Sequence, residues 1–182
     1  KRKELGLPED AFIVLSVGEL NKNKNHETVI KALAKINDRN IYYVICGQGP
    51  LENYLKNLIK EVRLEKQVHL LGFRRDIAEI CKASNMFAFP SFREGLSVAL
   101  IEAMAAGLPV VCSDIRGNRD LIKDGEGGYL VKPDDVNNFA QNINNLLIYN
   151  EKRLAMAAYN IEAVKSFDSN IVSKRMQEIY SN

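Results

Sequence analysis

Histidine pairs, cysteine pairs, a surplus of one charge and long apolar runs are all missing from this 182-residue sequence. Its two histidines, His26 and His69, have no partner at metal-ligand spacing, so no zinc site is expected. The three cysteines, Cys46, Cys81 and Cys112, form no Cys-x-x-Cys pair and sit in apolar runs. That pattern points to reduced, buried thiols in a cytoplasmic setting rather than to a disulfide framework. Charge is nearly balanced, 25 Lys and Arg against 23 Asp and Glu, which argues against nucleic acid as the main partner. No apolar run approaches the roughly 20 residues that span a bilayer. The start, Lys1-Arg2-Lys3-Glu4-Leu5, lacks the apolar core of a signal peptide. It reads as the start of a fragment, charged and helical. Internal repeats, low-complexity tracts and interior linkers are absent too, so one domain is expected.

What is present is an alternation of two periods. Phe12–Val17, Ile41–Cys46, Val68–Leu71, Met86–Phe89, Val110–Cys112 and Tyr129–Val131 read as strands. Most are apolar throughout, as strands covered on both faces must be. Helical patterns lie between them at Glu27–Ile36, Leu51–Val62, Ile77–Lys82, Ser97–Ala106 and Asn118–Ile122. The rhythm predicts an α/β domain: a Rossmann-like, doubly wound sheet of about six parallel strands with helices on both faces. A helical C-terminal tail follows, with apolar faces at Phe139, Ile143 and Leu146, at Leu154, Ala157, Ile161 and Val164, and at Ile171, Val172, Met176 and Ile179. These faces read as packing. Ligands on such sheets bind beyond the C-terminal ends of the strands, so the loops there should carry function.

Three of those loops bear polar or glycine-rich signals. The first runs Gly18-Glu19-Leu20-Asn21-Lys22-Asn23-Lys24-Asn25-His26. Gly18 permits a sharp exit from the strand, and two lysines precede a helix N-terminus that attracts anions. A diphosphate grip and a solvated turn are both compatible with this loop, and taken alone it favours the turn. The second, Gly47-Gln48-Gly49-Pro50, lacks the third glycine of a dinucleotide fingerprint, since Glu52 stands there. It reads as a tight strand-to-helix turn.

The third loop, Pro90 to Ser97, leads into a helix that ends near Gly107-Leu108-Pro109. Gly95, Leu96 and Ser97 would expose backbone N–H groups at that helix start, suited to a diphosphate. Glu102 falls four residues after Val98 and just before Ala105 and Ala106, on a small apolar stripe. A carboxylate there is costly without a partner. From Ser97 to Glu102 a helix rises about 7–8 Å, which lets one end hold phosphate while Glu102 accepts ribose hydroxyls. A solvent-facing Glu102 and an ordinary loop acid at Glu94 form the competing reading, which the apolar surroundings disfavour.

Glu94 and Glu102, with Gly95 between them and Gly107-Leu-Pro-Val after, resemble the Glu-x7-Glu segment of the retaining GT-B glycosyltransferases of group 1. Val17-Gly18-Glu19-Leu20 with Lys24, Gly47-Gln-Gly-Pro, Gly72-Phe73 and Gly117-Asn118-Arg119-Asp120 through Gly128-Tyr-Leu-Val follow the same family's landmarks in order. The resemblance covers nearly the whole chain. It implies that residues 1–182 are the C-terminal nucleotide-sugar-binding domain of a two-domain enzyme whose N-terminal acceptor domain is absent.

Residue by residue, it implies Glu94 near the donor-sugar hydroxyls and Lys24 neutralising the diphosphate leaving group, these two being the catalytic candidates. It implies backbone contacts to the diphosphate from Gly95, Leu96 and Ser97, and a hold on the ribose by Glu102. Gly18 and Lys22 join the phosphate loop, and Gly72, Phe73 and Arg74 lie near the base. The sequence departs from the family at Glu19, where arginine is usual, and at Asp120, where glutamate is commoner.

The implied donor is a nucleotide sugar, UDP- or GDP-linked, with no further cofactor and no metal; no Asp-x-Asp motif occurs. The implied partners are a glycan or lipid-linked acceptor and the chain's own N-terminal domain, with membrane contact only through that half. A bacterial surface-polysaccharide transferase working in the cytoplasm, at the inner face of the membrane, fits the variant of the first loop. A nucleotide-sugar epimerase on the same fold, or a non-enzymatic nucleotide-binding regulatory module, are the alternatives. A phosphate-receiver domain is disfavoured, because no acidic cluster follows the first strand. Neither histidine reads as an acid or base: His26 opens a helix and His69 lies in a strand.

Overall fold

A computed structural model describes residues 1–167 of the chain. Six strands form one sheet: β1 Phe12–Val17, β2 Ile41–Cys46, β3 Val68–Gly72, β4 Met86–Phe89, β5 Val110–Ser113 and β6 Gly128–Val131. Among the described residues seven helices connect or follow them: α1 His26–Ile36, α2 Glu52–Glu61, α3 Ile77–Ala83, α4 Val98–Ala105, α5 Arg116–Arg119, α6 Val136–Ile148 and α7 Asn150–Val164. Every strand pair is parallel, and the order across the sheet is β3-β2-β1-β4-β5-β6. The expected doubly wound sheet is therefore the observed one.

Apolar runs such as Phe12–Val17 and Ile41–Cys46 become central strands because both of their faces are covered. Helices α1, α2 and α6 pack over one face, with Val29, Leu33, Leu55, Phe139 and Ile143 meeting β1 and β2 side chains. Helices α3 and α4 cover the other, where Ile80, Leu100 and Met104 meet Ile13, Leu15, Phe87 and Phe89. The three cysteines are unpaired and buried in this core, as their apolar neighbours predict.

Strand order reverses at β1. From β1 the chain steps outward to β2 and β3, then returns to lay β4 on the other side of β1. The loops leaving β1 and β4 consequently part in opposite directions and open a crevice between them, where ligands of this architecture bind.

Three expectations need correcting. The Lys1–Leu5 start is a series of turns, not a helix; Gly6 takes φ +69°, and the Arg2 guanidinium spends itself on the carbonyls of Glu9, Ala11 and Ala83. The Asn118–Ile122 helix is instead the single turn α5, Arg116–Arg119. Leu121 and Ile122 are buried just beyond it, so their apolar signal belongs to packing after the helix rather than within it. On α7 the expected Leu154, Ala157, Ile161, Val164 stripe packs only in part: Val164 lies against the core and Ala157 and Ile161 lie over Gly107. Leu154 is 63% exposed, while Met156 and Asn160 point inward. The Asn160 amide donates to the carbonyls of Leu108 and Gly127, a polar clip that apolar periodicity does not register. The α6 face of Phe139, Ile143 and Leu146 is buried as expected. The Ile171, Val172, Met176 and Ile179 face lies outside the described residues.

Candidate functional site

The crevice is built by one loop resting on another. Leaving β1, Gly18 donates its N–H to Cys46, and Leu20 exchanges backbone hydrogen bonds with Gln48 and Leu51. A Cβ on Gly47 would stand 1.9 Å from the Gly18 carbonyl oxygen, and one on Gly49 would stand 2.6 Å from the Leu20 oxygen. The Gly47-Gln48-Gly49-Pro50 segment thus supports the first loop by close backbone approach, in keeping with its reading as a tight turn. Gly18 bends the chain out of β1 as expected, and it has a second job. A Cβ there would meet the Lys24 side chain at 3.1–3.3 Å, so glycine lets Lys24 fold back across the strand end.

Lys24 reaches from that position to Glu94 on the loop after β4, with Nζ to Oε1 at 2.6 Å. Both side chains are mostly covered, 21% and 12% exposed, and the ammonium also lies 5.1 Å from the Phe89 ring centre. Asn23 secures the same two loops through its amide. It donates to the Arg93 carbonyl and accepts from the Arg93 N–H, while its own carbonyl takes the Phe92 N–H. Asn25, held at φ 53°, donates to the carbonyls of Pro90 and Pro133 and so joins the loops after β1, β4 and β6.

Helix α4 points its N-terminus at this junction. Ser97 is its N-cap: the hydroxyl accepts the Leu100 N–H at 3.3 Å. The earlier N–H groups have no partner within the helix and face the loop. Behind that loop, Gly117 at the start of α5 packs backbone to backbone; a Cβ there would stand 2.4 Å from the carbonyl oxygens of Glu94 and Gly95. Gly95 has open space where a side chain would go, so nothing in its packing requires glycine.

One turn into α4, Glu102 borders a cavity of about 390 Å³ together with Gly18, Gly47, Gln48, Phe73 and Arg74. Burial alone raises its carboxyl above the usual carboxylate range, and no cation among the described residues offsets that cost. The apolar stripe seen in the sequence does place a carboxylate in a half-buried setting. At the cavity mouth Phe73 is 65% exposed. Gly72 takes φ +67° and accepts the Gly47 N–H, fixing the turn that presents Phe73.

Arg74 lines the same cavity but is committed: Nε and Nη2 hold Asp76 at 2.8 and 2.6 Å. The Arg74 and Lys1 hydrogen bonds hold the Asp76 carboxyl far below the usual range. Lys22 does not face this cavity. It lines a second one on the α1 side of the first loop.

His26 is buried at the start of α1, with Nδ1 3.3 Å from the Tyr43 hydroxyl, which bonds Ser16 at 2.8 Å. Burial pushes its imidazole down to about 4, against the weaker pull of the Gly18 and Glu19 carbonyls. His69 lies in β3 as expected. Among the described residues no group of three His, Cys, Asp or Glu side chains could hold a metal ion.

Sequence reasoning missed Asn23, Asn25 and the backing role of Gly117. The Asn-Lys-Asn-Lys-Asn run contained a signal for the second, because asparagine is the side chain most at ease at positive φ.

A six-stranded, doubly wound sheet with a carboxylate-bearing crevice at its switch point defines an α/β domain of the architecture whose ligands bind at that place. The chain belongs to the glycosyl transferases group 1 family, whose model matches residues 1–163. It is 40% identical over 161 residues to the Campylobacter jejuni N-acetylgalactosamine-N,N'-diacetylbacillosaminyl-diphospho-undecaprenol 4-alpha-N-acetylgalactosaminyltransferase, covering 88% of this chain and 44% of that protein. It is 39% identical over 144 residues to the Escherichia coli UDP-Gal:alpha-D-GlcNAc-diphosphoundecaprenol alpha-1,3-galactosyltransferase, covering 76% and 37%. Among solved structures, Anabaena HepE in complex with UDP and glucose superposes with a TM-score of 0.86 at 28% identity, over 100% of this chain and 50% of that one. The chain spans less than half the length of these curated relatives.

Proposed function

We propose that this chain is the donor-binding half of a retaining GT-B glycosyltransferase, completed by an N-terminal acceptor domain outside the sequence. The observation that carries this reading is Glu102: a half-buried carboxylate with no cation beside it among the described residues, in a cavity one helical turn from the open N-terminus of α4. A nucleoside diphosphate supplies what both ends lack. Its ribose hydroxyls donate to Glu102, and its phosphates accept from the N–H groups of Gly95, Leu96 and Ser97. Lys24 lies across Gly18 to neutralise the phosphates, and Glu94 meets the sugar. The exposed Phe73 and the backbone of Gly72–Arg74 flank the base. Stabilising the departing diphosphate is an electrostatic task that a lysine and a helix terminus perform without a metal.

The UDP held by Anabaena HepE favours a UDP-linked donor, and the diphosphoundecaprenol substrates in the relatives' names favour a lipid-linked acceptor at the inner face of the membrane. Among the described residues no helix is long and apolar enough to cross a membrane. Thermal-shift titration of this chain with UDP, GDP, ADP and their sugars tests the reading. A rise in melting temperature with UDP, without sugar transfer by the chain alone, is the expected result; no rise with any nucleotide sinks it.

Within that site the two lysines of the first loop should differ. Lys24→Ala is expected to weaken UDP binding roughly tenfold or more, the value of a charge-assisted hydrogen bond. Lys22→Ala should change it little, because Lys22 lines the other cavity. Equal losses by calorimetry would mean that the Lys24 position over Gly18 has no special part in binding.

A further inference from the structure

The donor cavity has a neighbour of the same size. On the opposite side of the first loop, between it and the N-terminal turns of α1 and α2, lies a second cavity of about 390 Å³. That volume falls in the roughly 300–1,000 Å³ range of small-molecule sites. Its walls are of two kinds. Leu51, Leu55 and the rings of Tyr54 and Phe92 form the apolar side, and those two aromatic residues remain 46% and 44% exposed. Lys22 and Glu27 form the polar side. The Tyr54 hydroxyl donates to the Glu27 carboxylate, whose other oxygen is approached by Lys31 at 3.6 Å. No carboxylate pairs with Lys22 among the described residues.

We propose that this second cavity is a pyranose subsite that holds a part of the acceptor's saccharide reaching over from the N-terminal half, a proposal that rests on the glycosyl-transfer reading above. A pyranose ring has an apolar C–H face edged by hydroxyls. The cavity offers the matching surfaces, two aromatic faces exposed to solvent beside a carboxylate and an ammonium. The Tyr54 ring, its hydroxyl satisfied by Glu27, and the wholly apolar Phe92 ring suit a ligand that is itself half apolar.

Position supports the same occupant. Phe92 is two residues before Glu94 on one loop, and Lys22 is two before Lys24 on the other. The Asn23 bonds to Phe92 and Arg93 hold those loops together between the two cavities. A glycan seated on Tyr54 and Phe92 therefore lies alongside the loops that carry Lys24 and Glu94.

The test titrates the isotope-labelled chain separately with UDP and with maltotriose, chitotriose and cellotriose, following backbone amide shifts. At least one trisaccharide is expected to move residues 21–27, 51–55 and 92, whereas UDP moves residues 18, 47–48, 73 and 98–102. Tyr54→Ala should weaken the trisaccharide roughly fivefold and leave UDP binding unchanged, while Tyr54→Phe should keep most of the affinity. In the full-length protein, Tyr54→Ala should raise KM for the acceptor and not for the donor. UDP binding with no trisaccharide response around Tyr54 would overturn the subsite and leave the donor reading standing. UDP shifts centred on Tyr54 and Phe92 would overturn it too, by making this cavity the nucleotide's own. Failure of UDP to bind anywhere counts against the donor reading, and the trisaccharide shifts still decide the subsite.

Discussion

Full-length protein carrying Glu94→Gln is expected to turn over its donor on the order of a hundredfold more slowly, while its hold on bare UDP stays level or tightens. A fall of that size is usual when one preorganised polar group is lost from an electrostatically assisted site. The direction for UDP follows from the ion pair. In the unliganded chain Glu94 accepts a 2.6 Å hydrogen bond from the Lys24 ammonium, so an incoming diphosphate must compete with it. Glutamine keeps the shape and removes the competing charge.

Glu102→Gln should do the reverse. It weakens bare UDP and UDP-sugar alike, because ribose is present in both. Calorimetry of each variant with UDP and with intact donor, beside turnover of the full-length protein, separates the two glutamates. Equal losses for both ligands in both variants would show that the division of roles is wrong.

Acid should unfold the chain partly through His26. In the folded protein this imidazole titrates near 4, because burial disfavours its charged form, against about 6.5 in an open chain. The folded state therefore binds fewer protons between those values. The stabilising contribution of the neutral ring is complete above pH 6.5 and drains away as the pH falls toward 4. The whole difference corresponds to about 3 kcal/mol. His26→Gln can still bond the Tyr43 hydroxyl but cannot take up a proton. Urea unfolding at pH 7 and pH 4.5 should show the variant losing about 2–3 kcal/mol less than the parent across that interval. Identical losses would mean that His26 escapes burial before it titrates.

The strands were legible because their burial on both faces leaves an uninterrupted apolar signature, as in Ile41–Cys46 and Met86–Phe89. Glu102 was legible for the opposite reason, a charge set among small apolar residues. What escaped were features in which a polar group is satisfied by distant backbone. The amides of Asn23, Asn25 and Asn160 look like loop or surface residues until their carbonyl partners are in place. The α7 stripe was borne out only in part, with Val164 packed and Leu154 exposed, because periodicity registers that an apolar face exists, not how much of it a neighbouring element covers. Lys22 and Lys24 are indistinguishable by composition. What separates them is the fold: Lys24 fills the room left by the missing side chain of Gly18 and reaches Glu94, while Lys22 lines the other cavity.

The Asn25 amide, bound at once to carbonyls after β4 and β6, works as a keystone among three loops that are far apart along the chain. Removing it would leave each arch standing but free to settle on its own. Nucleotide affinity thereby becomes a gauge of the sheet's far edge: damage around Pro133, where no ligand is expected to touch, would be felt at Lys24 through a single side chain.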